Sequence, residues 1–206
     1  MKDIDDLVDG YGVVRIEEAL EIRKQSNKKV LLMQGVYSKE EYILSKNQKL
    51  DLVIHNNNQF NLIKDEGNHE MFWYKVNTGM NRLGFKEKEI LEAFSRINSI
   101  KKNMVLMSHL SSASSNKSSK LITNNQIKTF KKFESKLKKI KPNLISSLCN
   151  SGGLINFKTS HNDISRPGIS IFGSKADNQK SKIDLEQVMT LKSKFISIKK
   201  VFKGDR

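Results

Sequence analysis

The chain of 206 residues is long enough to bury one sizeable core, though short of the about 250 residues that a complete (β/α)8 barrel takes. Its formal net charge of +15 raises a nucleic-acid partner as an alternative. Lysine carries most of that charge and no aromatic residues interleave with it as stacking platforms, so it reads as a solvated surface, and nucleic acid as the lesser reading. The single cysteine, Cys149, excludes an internal disulfide, and neither a secretory segment after Met1 nor an apolar run near the about 18 residues of a membrane span is present, so a cytoplasmic protein without membrane contact is expected.

In chain order, a strand is expected from Tyr11 (YGVVRI) and a helix from Glu17 (EEALEIRKQSN). A strand from Val30 (VLLMQGV) leads to a helix from Ser38 (SKEEYILSKN), where Ser38 and Glu41 have the spacing of a capping box. A strand from Asp51 (DLVIHN), a helix from Asn58 (NQFNLIKDE), a strand from Met71 (MFWYKVNT) and a helix from Lys86 (KEKEILEAFSRINSI) follow. Next come a strand from Asn103 (NMVLMSHL), a serine-rich loop from Ser111 (SSASSNKSSK) and a helix from Asn124 (NNQIKTFKKFESKLKKI). Strands from Ile145 (ISSLCNS) and Arg166 (RPGISIFG) bring the expected strands to seven. Alternating strands and helices argue an α/β fold with a parallel sheet, and strands apolar on both faces suit a sheet covered by helices. From Val188 the chain changes to a lysine-rich, strand-like stretch (VMTLKSKFISIKKVFKGD). The expected division is a barrel domain over 1–180 and the beginning of a β-rich domain over 181–206.

The strongest local signal is WYKVNTGMNRLGF, Trp73 to Phe85: a strand that ends in a glycine-flanked turn before a helix. Barrel enzymes place their chemistry at such strand ends. Taken alone, Gly79 and Gly84 read more readily as ordinary turn glycines, and Arg82 as an exposed side chain. His55, His69, His109 and His161 have no metal-ligand spacing with one another or with Cys149, so no metal is expected. Cys149 reads as a buried structural cysteine, and GSK at Gly173 lacks the glycine-rich loop of a phosphate-binding P-loop.

Lys75 to Gly84 resembles the K-x-D-T-G-M-x-R-x-G segment of the alanine racemases. The same resemblance continues, in that family's order, through SHLSSAS (Ser108 to Ser114), CNSGG around Asn150 and Ser151, and RPGISIFG (Arg166 to Gly173). GYGVVRIEEALEIR, Gly10 to Arg23, is similar to the family's second barrel strand and helix. The resemblance implies an incomplete TIM-like (β/α)8 barrel of about seven parallel strands and a pyridoxal 5'-phosphate (PLP) enzyme that interconverts L- and D-alanine. By that family it is an isomerase supplying D-alanine to the cell wall, with alanine as substrate and a homodimer as the complete form. It implies that Ser151, Gly168 and Ile169 cradle the cofactor phosphate, that Asn150 belongs to the cofactor-binding residues and that Arg166 donates to the pyridine nitrogen. Arg82 would contact the phenolic oxygen near the substrate carboxylate, His109 would orient Arg166, and Lys75 matches a lysine that is carbamylated in many members and steadies the arginine. Asn77 stands where the family usually has aspartate, and Phe172 where it has tyrosine.

Two groups of that family are not matched. No K-x-N-x-Y-G-x-G segment, the carrier of the covalent lysine at the end of the first strand, occurs in the sequence. The opposing base is a tyrosine of the family's C-terminal β-domain. The expectation is therefore an internal piece of a racemase that does not racemise alanine on its own. A non-catalytic PLP-binding or dimer-modifying protein is the alternative.

Overall fold

The computed structural model describes residues 2–64, 71–100, 103–175 and 183–205. The described elements run α1 (Lys2–Asp5), β1 (Gly10–Val13), α2 (Ile16–Arg23), β2 (Lys29–Leu32), α3 (Lys39–Asn47), β3 (Asp51–Ile54), α4 (Asn57–Ile63) and β4 (Phe72–Lys75). They continue with α5 (Ile90–Ile100), β5 (Met104–Met107), α6 (Lys117–Lys138), β6 (Ile145–Ser147) and α7 (Ser151–Asn156). Single 3-10 turns occupy Lys158–Ser160 and Ile169–Phe172.

All six strands of the described residues are parallel and lie in the order of the sequence, β1 to β6. A doubly wound sheet reverses direction at a switch point; an order without reversal is the curled, open form of a (β/α) barrel. The two-residue period of the strands divides the core. Leu31, Val53, Trp73, Val105 and Met107 form one cluster on the inner face. Leu32, Leu52, Ile54, Phe72, Tyr74 and Leu106 pack outward against helical residues such as Tyr42, Phe94, Phe130 and Phe133.

The expected fold class holds, with a correction to the strand count. The segment from Arg166 is not a seventh strand. The Ile164 N–H donates to the Ser146 carbonyl (3.1 Å) and the Arg166 N–H to the Cys149 carbonyl (3.1 Å). Two residues on one side thus span three on the other, a slip that a regular parallel ladder does not allow. Pro167 then has no N–H to offer, and Ile169–Phe172 winds into its 3-10 turn. A second difference lies in the serine-rich run, whose last four residues are helix. The Asn116 side chain accepts from the Ser119 N–H (2.9 Å) and starts α6 at Lys117, seven residues before Asn124. Residues 183–205 carry neither helix nor strand, and their apolar side chains, Leu191, Phe195 and Ile196 among them, are exposed.

Near the first strands, Arg23 staples the ends of α2 and α3 to the start of β2. Its Nε donates to the Gln48 carbonyl (2.8 Å), Nη2 to that of Lys49 (2.9 Å), and Nη1 to those of Lys28 and Ser26. Lys49 needs the help, since it holds a left-handed φ of 50°.

Candidate functional site

Register aligns the strand ends, pairing Lys75 with Met107 and Met107 with Ser147, so the residues that follow each strand meet along one edge. After β4 the chain folds back on itself. The Phe85 N–H donates to the Lys75 carbonyl and the Asn77 N–H to the Phe85 carbonyl, both at 2.9 Å. Gly84 sits at this return with φ +119°, and a Cβ there would lie 2.7 Å from both the Asn77 nitrogen and the Val76 carbonyl carbon. No larger residue fits. Within the turn, the Asn77 side-chain oxygen accepts from the Gly79 (2.9 Å) and Asn81 (3.1 Å) N–H groups, while its amide donates to Asn81 Oδ1 (2.8 Å). An aspartate at 77 would have no N–H for that last bond.

This turn closes over Lys75, which is buried. Burial, then the neighbouring charges of Arg82 and Arg166, lower its ammonium to about 8. Arg82 itself is exposed and has no hydrogen-bond partner among the described residues.

Arg166 crosses the ends of β5 and β6. Its Nη1 donates to the Ser147 hydroxyl, and its Nη2 to the carbonyls of Ser108 (2.6 Å) and Leu148 (3.4 Å). Its Nε is buried and has no partner among the described residues. Burial lowers the guanidinium to about 10, which still leaves it protonated at neutral pH.

His109 lies beside this arginine without a hydrogen bond to it. Burial foremost, then Arg166, Arg82 and Lys75, bring the imidazole down to about 4, so the ring is neutral. The Asn150 amide donates to the Leu110 carbonyl (3.0 Å) and stands 3.3 Å from His109 Nε2. An N–H facing Nε2 makes that nitrogen the acceptor, which assigns the ring proton to Nδ1. Nδ1 is buried and also lacks a partner among the described residues. Two N–H donors are thus withdrawn from water with nothing to accept from them, each at a cost of about 1–3 kcal/mol that a bound acceptor would relieve.

The phosphate-class residues gather a few residues away. Ser151 Oγ accepts from the N–H groups of Gly168 (2.8 Å) and Ser170 (3.2 Å), and lies 3.1 Å from the Ser170 hydroxyl. The Asn150 side-chain oxygen accepts from the Gly153 N–H (3.1 Å), which fixes where α7 begins. A Cβ at Gly168 would meet nothing within 4 Å, so the cradle has an open side there, and Ile169 at its rim is half exposed. Gly152 is the opposite case: its Cβ would lie 2.5 Å from the Ala113 carbonyl oxygen, so only glycine lets α7 approach.

The sequence-expected residues therefore fall into two groups on one edge: Lys75, Arg82, His109 and Arg166 in the first, Asn150, Ser151, Gly168 and Ile169 in the second. Sequence reading missed Ser147, Ser108 and Ser170. Ser147 offered a faint signal, being the hydroxyl that ends a strand; the Ser108 and Leu148 carbonyls offered none. No cluster of three or more His, Cys, Asp or Glu side chains suited to a metal occurs among the described residues. Cys149 is buried with its Sγ 3.1 Å from the Ser165 hydroxyl. No helix among the described residues is long and apolar enough to cross a membrane.

Comparison with known proteins gives a consistent picture. The family model for the alanine racemase N-terminal domain matches residues 2–176. The alanine racemase of Nitrosomonas eutropha is 33% identical over 207 residues, covering 96% of this chain and 56% of the relative; the chain spans about half the length of the curated relatives it matches. The biosynthetic alanine racemase of Pseudomonas aeruginosa superposes with a TM-score of 0.76 at 29% identity, over 87% of this chain and 50% of that one. The Bartonella henselae alanine racemase with covalently bound pyridoxal phosphate shares the fold, with a TM-score of 0.73 at 24% identity, over 86% of this chain and 52% of that one.

Proposed function

Because the chain belongs to the alanine racemase N-terminal domain family, we propose that the edge formed by β4, β5 and β6 is its site for pyridoxal 5'-phosphate, within a protein that interconverts L- and D-alanine. The observation that carries this reading is the Arg166 Nε–H, buried and without an acceptor on an arginine whose Nη groups are engaged. A pyridine nitrogen is the acceptor such a donor fits. Because the guanidinium keeps its proton, a ring nitrogen held there stays unprotonated. Bound PLP supplies an electron sink that makes the substrate α-proton labile, and an unprotonated ring moderates that sink.

The remaining residues divide the work. Ser151 and Ser170 would hold the phosphate with hydroxyls, and Gly168 and Ile169 with main-chain N–H groups. Arg82, exposed and unengaged, meets an anionic oxygen of cofactor or substrate. His109 stays neutral. Lys75, at about 8, has an appreciable unprotonated fraction at neutral pH, the form that adds CO2; a carbamate there would set a negative charge between Arg82 and Arg166.

The sequence contains no lysine in the family's cofactor-carrying motif, so this chain holds PLP without a covalent bond and does not racemise alanine by itself. In the whole protein the site serves D-alanine supply to the cell wall from the cytoplasm, as a homodimer. The deciding experiment titrates PLP into the purified chain, follows the cofactor absorbance, and adds borohydride. Saturable binding that Arg166→Lys weakens about 100-fold, with no cofactor left on the protein after reduction and no D-alanine formed, supports the reading. Absence of saturable binding refutes the site. PLP trapped on Lys75, or D-alanine formed with contaminating racemase excluded, refutes the non-covalent, inactive form.

A further inference from the structure

Helix α6 buries Thr123, Gln126, Ile127, Phe130, Phe133 and Leu137. Gln126 is conspicuous in that face, since a buried amide is unfavourable unless its hydrogen bonds are met. Here all are met. Its Oε1 accepts from the Ser111 N–H (3.0 Å) and hydroxyl (3.1 Å), and its Nε2 donates to the His109 carbonyl (3.1 Å) and Thr78 Oγ1 (3.4 Å). A side-chain amide has two donors and two acceptor positions, and this one uses the four on two different loops.

The chain of bonds continues to the arginine. Ser108 Oγ donates to the Val76 carbonyl (2.8 Å), so in its 2.9 Å contact with Thr78 the threonine hydroxyl is the donor. The order is Gln126 to Thr78 to Ser108 to Val76, and the main-chain carbonyl of that same Ser108 receives Arg166 Nη2. Gln126 therefore touches the Ser108–His109 pair twice, directly at His109 and through Thr78 at Ser108. Thr123 adds a third tie from α6, donating to the Ser112 carbonyl (3.0 Å).

We propose that Gln126 is a positioning residue for the cofactor site, clamping the turn after β4 to the loop after β5 so that Arg166 and His109 keep their places. The inference rests on the PLP reading, but only in one of its two tests. In the first, PLP affinity is measured for the full chain, for Gln126→Met, which keeps the shape and loses the four bonds, and for Gln126→Glu, which keeps the acceptor and loses both donors. Arg23→Ala, far from the site, controls for lost stability. The dissociation constant should rise at least tenfold in both Gln126 variants and stay within twofold in the control at a comparable fall in melting temperature. In the second, water exchange of the Arg166 Nε–H is followed by 15N NMR on the cofactor-free chain. That rate should rise at least tenfold in both Gln126 variants while the Arg23 Nε–H is unchanged. Failure of wild-type chain to bind PLP sinks the cofactor reading alone. An unmoved Arg166 Nε–H, or Gln126 variants that bind PLP as the control does, overturns the clamp.

Discussion

Arg23 and Arg166 are both half-buried arginines that reach main-chain carbonyls from several directions, yet they serve opposite ends. Arg23 donates from Nε and both Nη atoms to carbonyls that helix ends and a left-handed lysine had left without partners. Arg166 donates only from its Nη atoms and keeps a buried Nε–H in reserve. Residue type, burial and anchor chemistry are shared. What separates a staple from a site is one donor left without an acceptor. A fully satisfied polar group contributes to stability; an unsatisfied one carries an energetic cost that binding removes.

Substitutions test that contrast directly. Arg166→Lys replaces a planar fork with a single point charge and should lower PLP affinity about 100-fold, as the loss of a charge-assisted bond of about 1.5–3 kcal/mol implies; cofactor absorbance titration reads it. Arg23→Ala should do the reverse, lowering unfolding free energy by about 2 kcal/mol in urea while leaving PLP affinity unchanged. If Arg166→Lys proved as destabilising as Arg23→Ala and bound PLP normally, the distinction would collapse. Ser151→Ala removes the shared acceptor of the phosphate cradle, and about tenfold weaker binding of PLP, with pyridoxal lacking the phosphate unaffected, is the expected result.

The smallest effect is on pH dependence. The unfolded chain protonates His109 near its ordinary value of 6.5, whereas the folded ring resists down to about 4. Between those values the unfolded state binds more protons, so stability contributed by neutral His109 is complete above about pH 6.5 and is lost as pH falls toward 4. Comparison of His109→Gln with wild type by urea unfolding at pH 7 and pH 4.5 should show the wild type losing about 1 kcal/mol more, the ring's partial exposure being allowed for. Equal losses would mean that His109 is not held neutral.

The legible parts of this molecule were those whose cause is local. Glycines with enforced positive φ, such as Gly79 and Gly84, leave a motif because no other residue suits the backbone. The six strands were legible from apolar runs. RPGISIF has the composition of a seventh strand, but the slip against β6 is decided by partners about twenty residues away. Gln126 was invisible for a related reason: in sequence it is one polar residue in a lysine-rich helix, and only its tertiary partners, Thr78 among them, explain why it is buried. At the start of α6 the serines read as loop, although Asn116 supplies a sound cap.

The anchors of Arg166 have a consequence for how the sequence can change. Two of them, at Ser108 and Leu148, are peptide carbonyls, and register fixes their positions by pairing Met107 with Ser147. Mutation cannot delete a peptide carbonyl. Neighbouring side chains can therefore drift through generations of substitution while the arginine stays aimed, provided that the two strands keep their alignment. The durable part of this recognition site is written in strand pairing, and redesign of its surroundings has wide latitude as long as that pairing is left alone.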